Sequence, residues 1–164
     1  MNEQERTAAA ELNLDRLLEW NSRFDNKVLI IFGISTGMLG LLASIMPQPS
    51  DWTLFSTISF ACAVVPLSLS FVFLKMALYP DTRAPNGSLL FFGTIAQQTC
   101  DKFRERWKSQ TQEDYLCDLL EQAHRNAEII SAKFQWFRRA FKVLLLAIIP
   151  WAVSVYLFTT LPRI

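Results

Sequence analysis

The sequence lacks the residue patterns on which most enzymes and metal sites depend. It has one histidine and three cysteines, and their spacing matches neither a zinc site nor a disulfide framework. Its five glycines form no GxGxxG fingerprint and no phosphate-binding loop. No serine or cysteine lies in a recognised nucleophile motif. The sequence therefore predicts no enzyme activity, no catalytic residue, no metal and no cofactor.

Charge is missing from three long stretches of the 164-residue chain. Val28–Met46, Trp52–Leu74 and Val143–Pro162 contain no Asp, Glu, Lys, Arg or His, and they are 19, 23 and 20 residues long. At ~1.5 Å per helical residue each reaches ~28–35 Å, close to the ~30 Å of a hydrocarbon core. The sequence predicts an all-α membrane protein with three transmembrane helices at 28–46, 52–74 and 143–162.

The positive charges are distributed unevenly around these spans. Fifteen of the sixteen Lys and Arg residues lie before the first span or between the second and third, and only Arg163 follows the last. Retained positive charge marks the cytoplasmic side. We therefore expect a multi-pass protein whose N-terminal helix (1–27) and 76–142 segment are cytoplasmic. The net charge is only +1, so no nucleic-acid partner is expected.

Two heptad patterns extend spans one and three beyond the bilayer. Spacings of three and four alternate over Leu14–Val28, where the positions are apolar except for Asn21, and over Leu116–Phe141, where all are apolar. No proline or glycine separates either pattern from its span, so each helix is expected to continue into the membrane. Such a rigid helix would transmit a tilt or twist into the bilayer. A static bundle is the plainer interpretation.

Two more signals complete the predicted bundle. Thr111 and Asp114 form a capping signal for the last helix, which we expect to reach about Phe158. Thr94–Lys108 predicts one extra helix, and a loop at 79–87 with two prolines and an Asn-Gly pair precedes it. We therefore expect a cytoplasmic helical bundle formed by extensions of spans one and three plus one extra helix.

Three segments resemble the transmembrane Pycsar effector domain family. They are Asn21–Lys27 with its Asp-x-Lys pattern, the aromatic-glycine segment Leu89–Ile95, and Leu119–Phe141 before the last span. The resemblance covers about residues 12–160. It implies a bacterial antiphage effector of the inner membrane, functionally linked to a nucleotide cyclase. Residues 76–142 would sense a cyclic nucleotide, typically a cyclic pyrimidine monophosphate, and the membrane part would impair membrane integrity in abortive infection.

A cyclic-nucleotide site needs cations for phosphate, an apolar slot for the base and polar groups for base or ribose. The predicted ligand-binding residues are Asn21, Asp25, Lys27, Arg125 and Lys133. Lys27 and Lys133 would hold phosphate, while Asn21 and Asp25 would contact base or ribose, or hold the cations in place. The alternatives are membrane anchoring for Lys27, a solvated helix face for Arg125, and an ion pair from Asp25 to Lys27 or to a cation on the last cytoplasmic helix.

Other features leave alternatives open. His124, beside the apolar pattern, is expected to be a partly buried structural residue. Gly33 and Gly37 form a GxxxG pattern that serves either packing within one chain or self-association. Because three spans cannot enclose a wide pore, permeation through the lipid bilayer would need a homo-oligomer or disordered lipid.

Two rival functions use the same residues differently. The chain could be a non-signalling membrane scaffold whose heptad patterns pair with a partner protein, or a small constitutive channel. A pocket of nucleotide size lined by Asn21, Arg125 and Lys133 would favour the sensor. A solid bundle with an outward-facing heptad pattern would favour the scaffold.

Overall fold

The computed structural model describes residues 2–79 and 87–160, and these form an all-α protein. In chain order the elements are α1 (Glu3–Ser44), a short 3-10 helix (Pro49–Asp51), α2 (Leu54–Leu78), α3 (Phe92–Ala96), α4 (Cys100–Ser109) and α5 (Gln112–Thr160). No β-strand occurs in these two ranges, which confirms the predicted fold class. Most of the predicted loop at 79–87, the last two residues of the predicted third span and Arg163 lie outside the described residues.

The first two long helices begin with reciprocal caps. At α1 the Asn2 side chain accepts a hydrogen bond from the Glu5 N–H at 2.8 Å, and the Glu5 carboxylate accepts one from the Asn2 N–H at 2.9 Å. Thr53 and Ser56 exchange the same pair of bonds at the start of α2. Caps satisfy N–H groups that have no partner inside the helix, so short local signals fix where these helices begin.

The capping signal that the sequence predicts for α5 is present. The Thr111 N–H donates to Asp114 Oδ2 at 3.1 Å, and the Asp114 N–H donates to Thr111 Oγ1 at 3.1 Å. Hydrogen bonds from Thr111 lower the pKa of Asp114. From Gln112 the helix continues for 49 residues to Thr160. At ~1.5 Å per residue it is about 74 Å long, in agreement with the expected long helix.

The single helix predicted for Thr94–Lys108 is two helices, so that prediction is wrong. Helix α3 ends at Ala96 and α4 begins at Cys100. Between them Thr99 has an extended backbone (φ −70°, ψ 152°), and its hydroxyl accepts a hydrogen bond from the Lys102 N–H at 3.4 Å. A threonine that caps one helix in this conformation ends the preceding one. The regular apolar spacing conceals that break.

Contacts divide the chain into two units. The first unit comprises Met1–Phe24 and Pro80–Ala132, and the second comprises Asp25–Tyr79 and Lys133–Ile164. Helices α1 and α5 each contribute residues to both units. Both helices are unbroken at the positions where the sequence predicts spans one and three to begin.

Polar side chains connect the elements of the first unit. The Tyr115 hydroxyl donates to Glu11 Oε1 at 2.8 Å, and burial together with this hydrogen bond raises the pKa of Tyr115. Gln112 Nε2 donates to Thr7 Oγ1 at 3.5 Å, about one turn earlier on both helices. These parts of α1 and α5 therefore pack side by side and run parallel. The buried apolar residues here are Ala10, Phe24, Leu89, Leu119 and Ala123.

Small residues and hydroxyl groups connect the helices of the second unit. The Ser70 hydroxyl donates to the Ala140 carbonyl at 3.2 Å, and the Ser59 hydroxyl donates to the Pro150 carbonyl at 3.4 Å. Such hydrogen bonds satisfy polar groups in segments that water does not reach. The apolar core of this unit consists of Leu42, Ala63, Leu67, Leu144, Ala147 and Phe158.

Helices α1, α2 and α5 are each long and apolar enough to cross a membrane, which supports the three predicted spans and a membrane protein. The GxxxG pattern of α1 does not pack against the rest of the chain. Apart from the adjoining backbone of α1 itself, a Cβ added at Gly33, Gly37 or Gly40 would meet no described atom within 4 Å. Packing within one chain, one of the two interpretations of that pattern, is therefore excluded for the described residues.

Candidate functional site

The five predicted ligand-binding residues divide between the two units. Asn21 and Arg125 belong to the first unit, whereas Asp25, Lys27 and Lys133 belong to the second. Asn21 is half-buried on α1, and Lys27 is exposed on the same helix.

Within the second unit, Asp25 and Lys133 form an ion pair between α1 and α5. Lys133 Nζ donates to Asp25 Oδ1 at 2.9 Å and to Oδ2 at 3.1 Å. The Lys133 side chain is only 12% exposed and that of Asp25 is 35% exposed. This confirms the ion pair expected between Asp25 and a cation on the last helix. Both carboxylate oxygens contact one ammonium, so Asp25 holds Lys133 in place.

One pocket of the first unit combines a cation, amides and aromatic rings. Its volume is about 270 Å³. It is bordered by α1, by the segment that leads into α3, and by α5. The residues that line it are Leu14, Leu18, Leu90, Phe91, Phe92, Gln122, Arg125, Asn126 and Ile129.

Helix α5 supplies the polar wall of this pocket. Gln122, Arg125, Asn126 and Ile129 have the spacing i, i+3, i+4 and i+7, so they share one helix face. Within two turns α5 thus presents a guanidinium, two amides and an aliphatic side chain to the pocket. Of the five predicted residues, Arg125 is the one that lines it.

Arg125 is the cation of the pocket. Its side chain is half-buried, and Nη1 donates to Glu128 Oε2 at 2.7 Å. This intrahelical ion pair orients the guanidinium. A guanidinium offers several N–H donors in one plane, which suits the oxygens of a phosphate. The half-buried position differs from the solvated helix face that the sequence left open for Arg125.

The amide groups are fixed by hydrogen bonds. Gln122 is only 5% exposed, and its Nε2 donates to Ser88 Oγ at 2.8 Å. Ser88 Oγ also accepts from the N–H groups of Leu90 and Phe91, so it ties the aromatic segment to α5. Asn126 Nδ2 donates to the Gln122 backbone carbonyl at 2.8 Å. Each amide is therefore held in one orientation, which is what base recognition requires.

The aromatic wall depends on a glycine. The rings of Phe91 and Phe92 lie 4.6 Å apart between centroids. A Cβ at Gly93 would come within 2.5 Å of Phe91 Cε1, closer than non-bonded carbon atoms approach. Only glycine lets the Phe91 ring occupy this position. The aromatic-glycine segment behind the family resemblance thus forms one wall of the pocket.

Sequence reasoning missed most of the pocket. Phe91, Phe92, Gln122 and Asn126 were not predicted as site residues, although the amide–arginine–amide spacing on one helix face was a usable signal. His124 is exposed, with Nδ1 3.9 Å from a Glu128 carboxylate oxygen. The expectation of a partly buried structural histidine is therefore wrong.

A second hollow of the first unit has the opposite electrostatic character. It has a volume of about 330 Å³, and its lining includes the carboxylates of Asp114, Asp118 and Glu121. Arg106, its cation among the described residues, already donates to the Gly87 carbonyl at 2.6 Å. Three carboxylates in the lining beside one guanidinium disfavour a phosphate ligand. Of these two hollows, the pocket that contains Arg125 is the better candidate for a nucleotide site.

Comparison with known proteins agrees with the resemblance in the sequence. The family model of the Pycsar effector protein domain (PycTM) matches residues 9–160. The match includes all five predicted residues and every residue that lines the pocket. No curated protein and no solved structure matches the chain.

Proposed function

The chain belongs to the Pycsar effector family, and from this membership we propose that it is gated by a cyclic pyrimidine monophosphate and impairs the inner membrane. Membership makes it an effector linked to antiphage cyclic-nucleotide signalling. In the finer proposal the first unit is a cytoplasmic sensor, the N-terminus is cytoplasmic, and the second unit lies in the bacterial inner membrane. A nucleotide cyclase supplies the ligand, and infection ends in growth arrest.

The observation that carries this proposal is the chemistry of the pocket. Arg125 offers donors for the phosphate, Gln122 and Asn126 offer polar atoms for the edge of the base, and Phe91 and Phe92 offer a surface on which the base stacks. These are the three groups that a nucleotide site requires. An interaction groove for a scaffold partner would not need a half-buried guanidinium flanked by fixed amides.

The volume of the pocket supports a mononucleotide. Pockets for small molecules usually measure about 300–1,000 Å³, and this pocket of about 270 Å³ lies just below that range. A single small base with one cyclic phosphate suits that volume, whereas a cyclic dinucleotide is about twice as large.

The other predicted residues receive different proposed roles. Asp25 holds Lys133 through two short contacts, which supports the interpretation that Asp25 keeps a cation in place. Phosphate binding by Lys27 or Lys133 and base contact by Asn21 stay predictions. Lys133→Gln tests phosphate binding by Lys133. Loss of the nucleotide response with normal protein stability would place Lys133 in the site.

Coupling would use the helices shared by both units. A ligand shifts an equilibrium only by its difference in affinity for the two states, so the ligand must bind one arrangement of the α1, α3 and α5 segments more tightly. Because three spans cannot enclose a wide pore, we propose that permeation through the bilayer involves a homo-oligomer. The effector acts by binding, without catalysing a reaction.

Thermal unfolding of the full chain in detergent tests the ligand. The probes are cyclic CMP, cyclic UMP, cyclic AMP, cyclic GMP and cyclic di-GMP. A ligand at 100 times its dissociation constant stabilises the folded state by about 2.7 kcal/mol, or roughly 5–10 °C in a chain of this size. We expect such a shift with a pyrimidine monophosphate. If none of the cyclic mononucleotides shifts the midpoint, the proposal is wrong.

Arg125→Gln with Arg23→Gln as its control tests the pocket. Arg23 is exposed and pairs with Glu19 at 2.6 Å one turn away, so its loss removes the same charge outside the pocket. We expect Arg125→Gln to weaken nucleotide binding about 10–100-fold, as for the loss of a charge-assisted hydrogen bond, and Arg23→Gln to leave it unchanged. Equal affinity of both variants would remove Arg125 from the site.

Leakage of dye-loaded liposomes separates the rival functions. We expect leakage only when the nucleotide is added. Leakage without any nucleotide would support the constitutive channel, and no leakage with bound nucleotide would support the scaffold.

A further inference from the structure

A stripe of positive charge lies on α5 directly before its uncharged stretch. Gln135, Arg138, Arg139 and Lys142 have the spacing i, i+3, i+4 and i+7, so they lie on one face of the helix. They border a shallow hollow of about 190 Å³, and all four are exposed. The uncharged stretch begins at the next residue, Val143.

The three cations of this stripe lack a carboxylate within 4.0 Å among the described residues. Elsewhere Arg23, Arg125 and Lys133 each pair with an acid at 2.6–2.9 Å. The sequence contains no Asp or Glu after Glu128. Like charges three and four residues apart on a helix repel each other. An external anion would remove this repulsion.

One cation of the stripe is held by an aromatic ring. The Arg139 guanidinium lies 4.5 Å from the centroid of the Trp136 ring, a distance typical of a cation–π contact. Trp136 itself lies against α2, with its ring centroid 5.9 Å from that of Phe73. Tryptophan prefers the depth of lipid headgroups, so this contact fixes Arg139 at the level of the membrane interface.

The same face continues with exposed aliphatic side chains. Leu146 follows Lys142 by four residues, and Ile149 follows Leu146 by three, so both continue the same face of the helix. Their exposed fractions are 73% and 75%. Cationic groups followed by an aliphatic surface match the order of phosphate and acyl chain in a phospholipid. We propose that this stripe binds an anionic glycerophospholipid, with its phosphate at Arg138, Arg139 and Lys142 and an acyl chain along Leu146 and Ile149.

The aliphatic half of the stripe distinguishes a lipid from a free anion. A soluble phosphate contacts the cations alone, whereas one phospholipid contacts both the cations and the adjoining Leu146 and Ile149. The two guanidiniums can bind phosphate oxygens in bidentate fashion. A zwitterionic headgroup places an ammonium beside the same cations, so phosphatidylglycerol is favoured over phosphatidylcholine. This proposal is independent of the nucleotide pocket.

Native mass spectrometry of the full chain in detergent tests the site, with phosphatidylglycerol or phosphatidylcholine added and no nucleotide present. We expect wild type to retain phosphatidylglycerol preferentially. The variant R138Q/K142Q should retain it roughly thirtyfold less well, because each of the two lost cations contributes about fivefold to binding at an anionic membrane surface. The control K27Q/K75Q removes two exposed cations at the other span ends and should behave like wild type.

Further variants keep the test decisive. R138K/K142R preserves the charge and should retain phosphatidylglycerol, with an unchanged thermal midpoint. Leu146→Gln should weaken retention without changing the charge, and it decides the question if R138Q/K142Q does not fold. Equal loss in R138Q/K142Q and K27Q/K75Q would overturn the proposal, since any cation would then suffice. Release of the lipid by millimolar inorganic phosphate would overturn the lipid assignment.

Discussion

The two units of this protein are stabilised by different chemistry. In the first unit charged and amide side chains connect separate elements, as Tyr115 does with Glu11. In the second unit serine hydroxyl groups donate hydrogen bonds to backbone carbonyls of a neighbouring helix, as Ser70 does to Ala140. The second unit has a charged contact between helices in the pair of Asp25 with Lys133.

The difference follows from the solvent that each unit can use. Inside a bilayer no water satisfies an unpaired polar group, so spans favour short hydroxyl groups that complete their hydrogen bonds within the protein. In water a polar pocket can remain open, because water satisfies its groups until a ligand arrives. The pocket that contains Arg125 lies in the first unit, and the hydroxyl–carbonyl contacts between helices lie in the second.

The largest expected effect is on the packing of the second unit. Ala147 is fully buried in its core, so Ala147→Leu should destabilise the protein by about 2–3 kcal/mol through overpacking. Ala152→Leu on the same helix is the control, because Ala152 is exposed. Protein yield and thermal midpoint in detergent measure both. Equal tolerance of the two changes would contradict a closely packed second unit.

A smaller effect is expected at the charged pair of the second unit. Asp25→Asn leaves Lys133 without its carboxylate, and hydrogen bonds to charged groups contribute about 1.5–3 kcal/mol. Because Asp25 is partly exposed, we expect a loss near 1–2 kcal/mol. The exchange D25K/K133D should recover part of it, while Asp15→Asn, at an exposed position, should have no effect. A thermal midpoint unchanged by Asp25→Asn would show that the pair contributes nothing to stability.

The smallest expected effect is on nucleotide affinity, and it is tested by replacing one glycine in each unit. Gly93→Ala shifts the Phe91 ring in the pocket wall and should weaken nucleotide binding about fivefold, which corresponds to about 1 kcal/mol, the lower end for a base–aromatic stack. Gly37→Ala meets no described atom within 4 Å and should leave nucleotide affinity unchanged. Isothermal titration with the nucleotide measures both. An undiminished affinity of Gly93→Ala would argue against the aromatic wall as the base site.

Much of the architecture could be predicted because its causes are local. Three stretches without charge identify three membrane helices, and Thr111 with Asp114 marks the start of α5. Where a local signal was misread, the error was also local. The cap at Thr99 divides the predicted helix at 94–108 into two, because a side-chain hydroxyl competes with helix continuation.

The sequence alone determined the three long helices, their apolar stretches and the family, since charge, apolar spacing and capping act within a few residues of one another. The tertiary structure decided which side chains meet. It places Lys133 on Asp25, 108 residues away, and it joins Phe91 to Gln122 and Arg125 around one pocket. Such contacts depend on how helices pack, and helical periodicity fixes only the face on which a residue lies, not the partner that the face will meet.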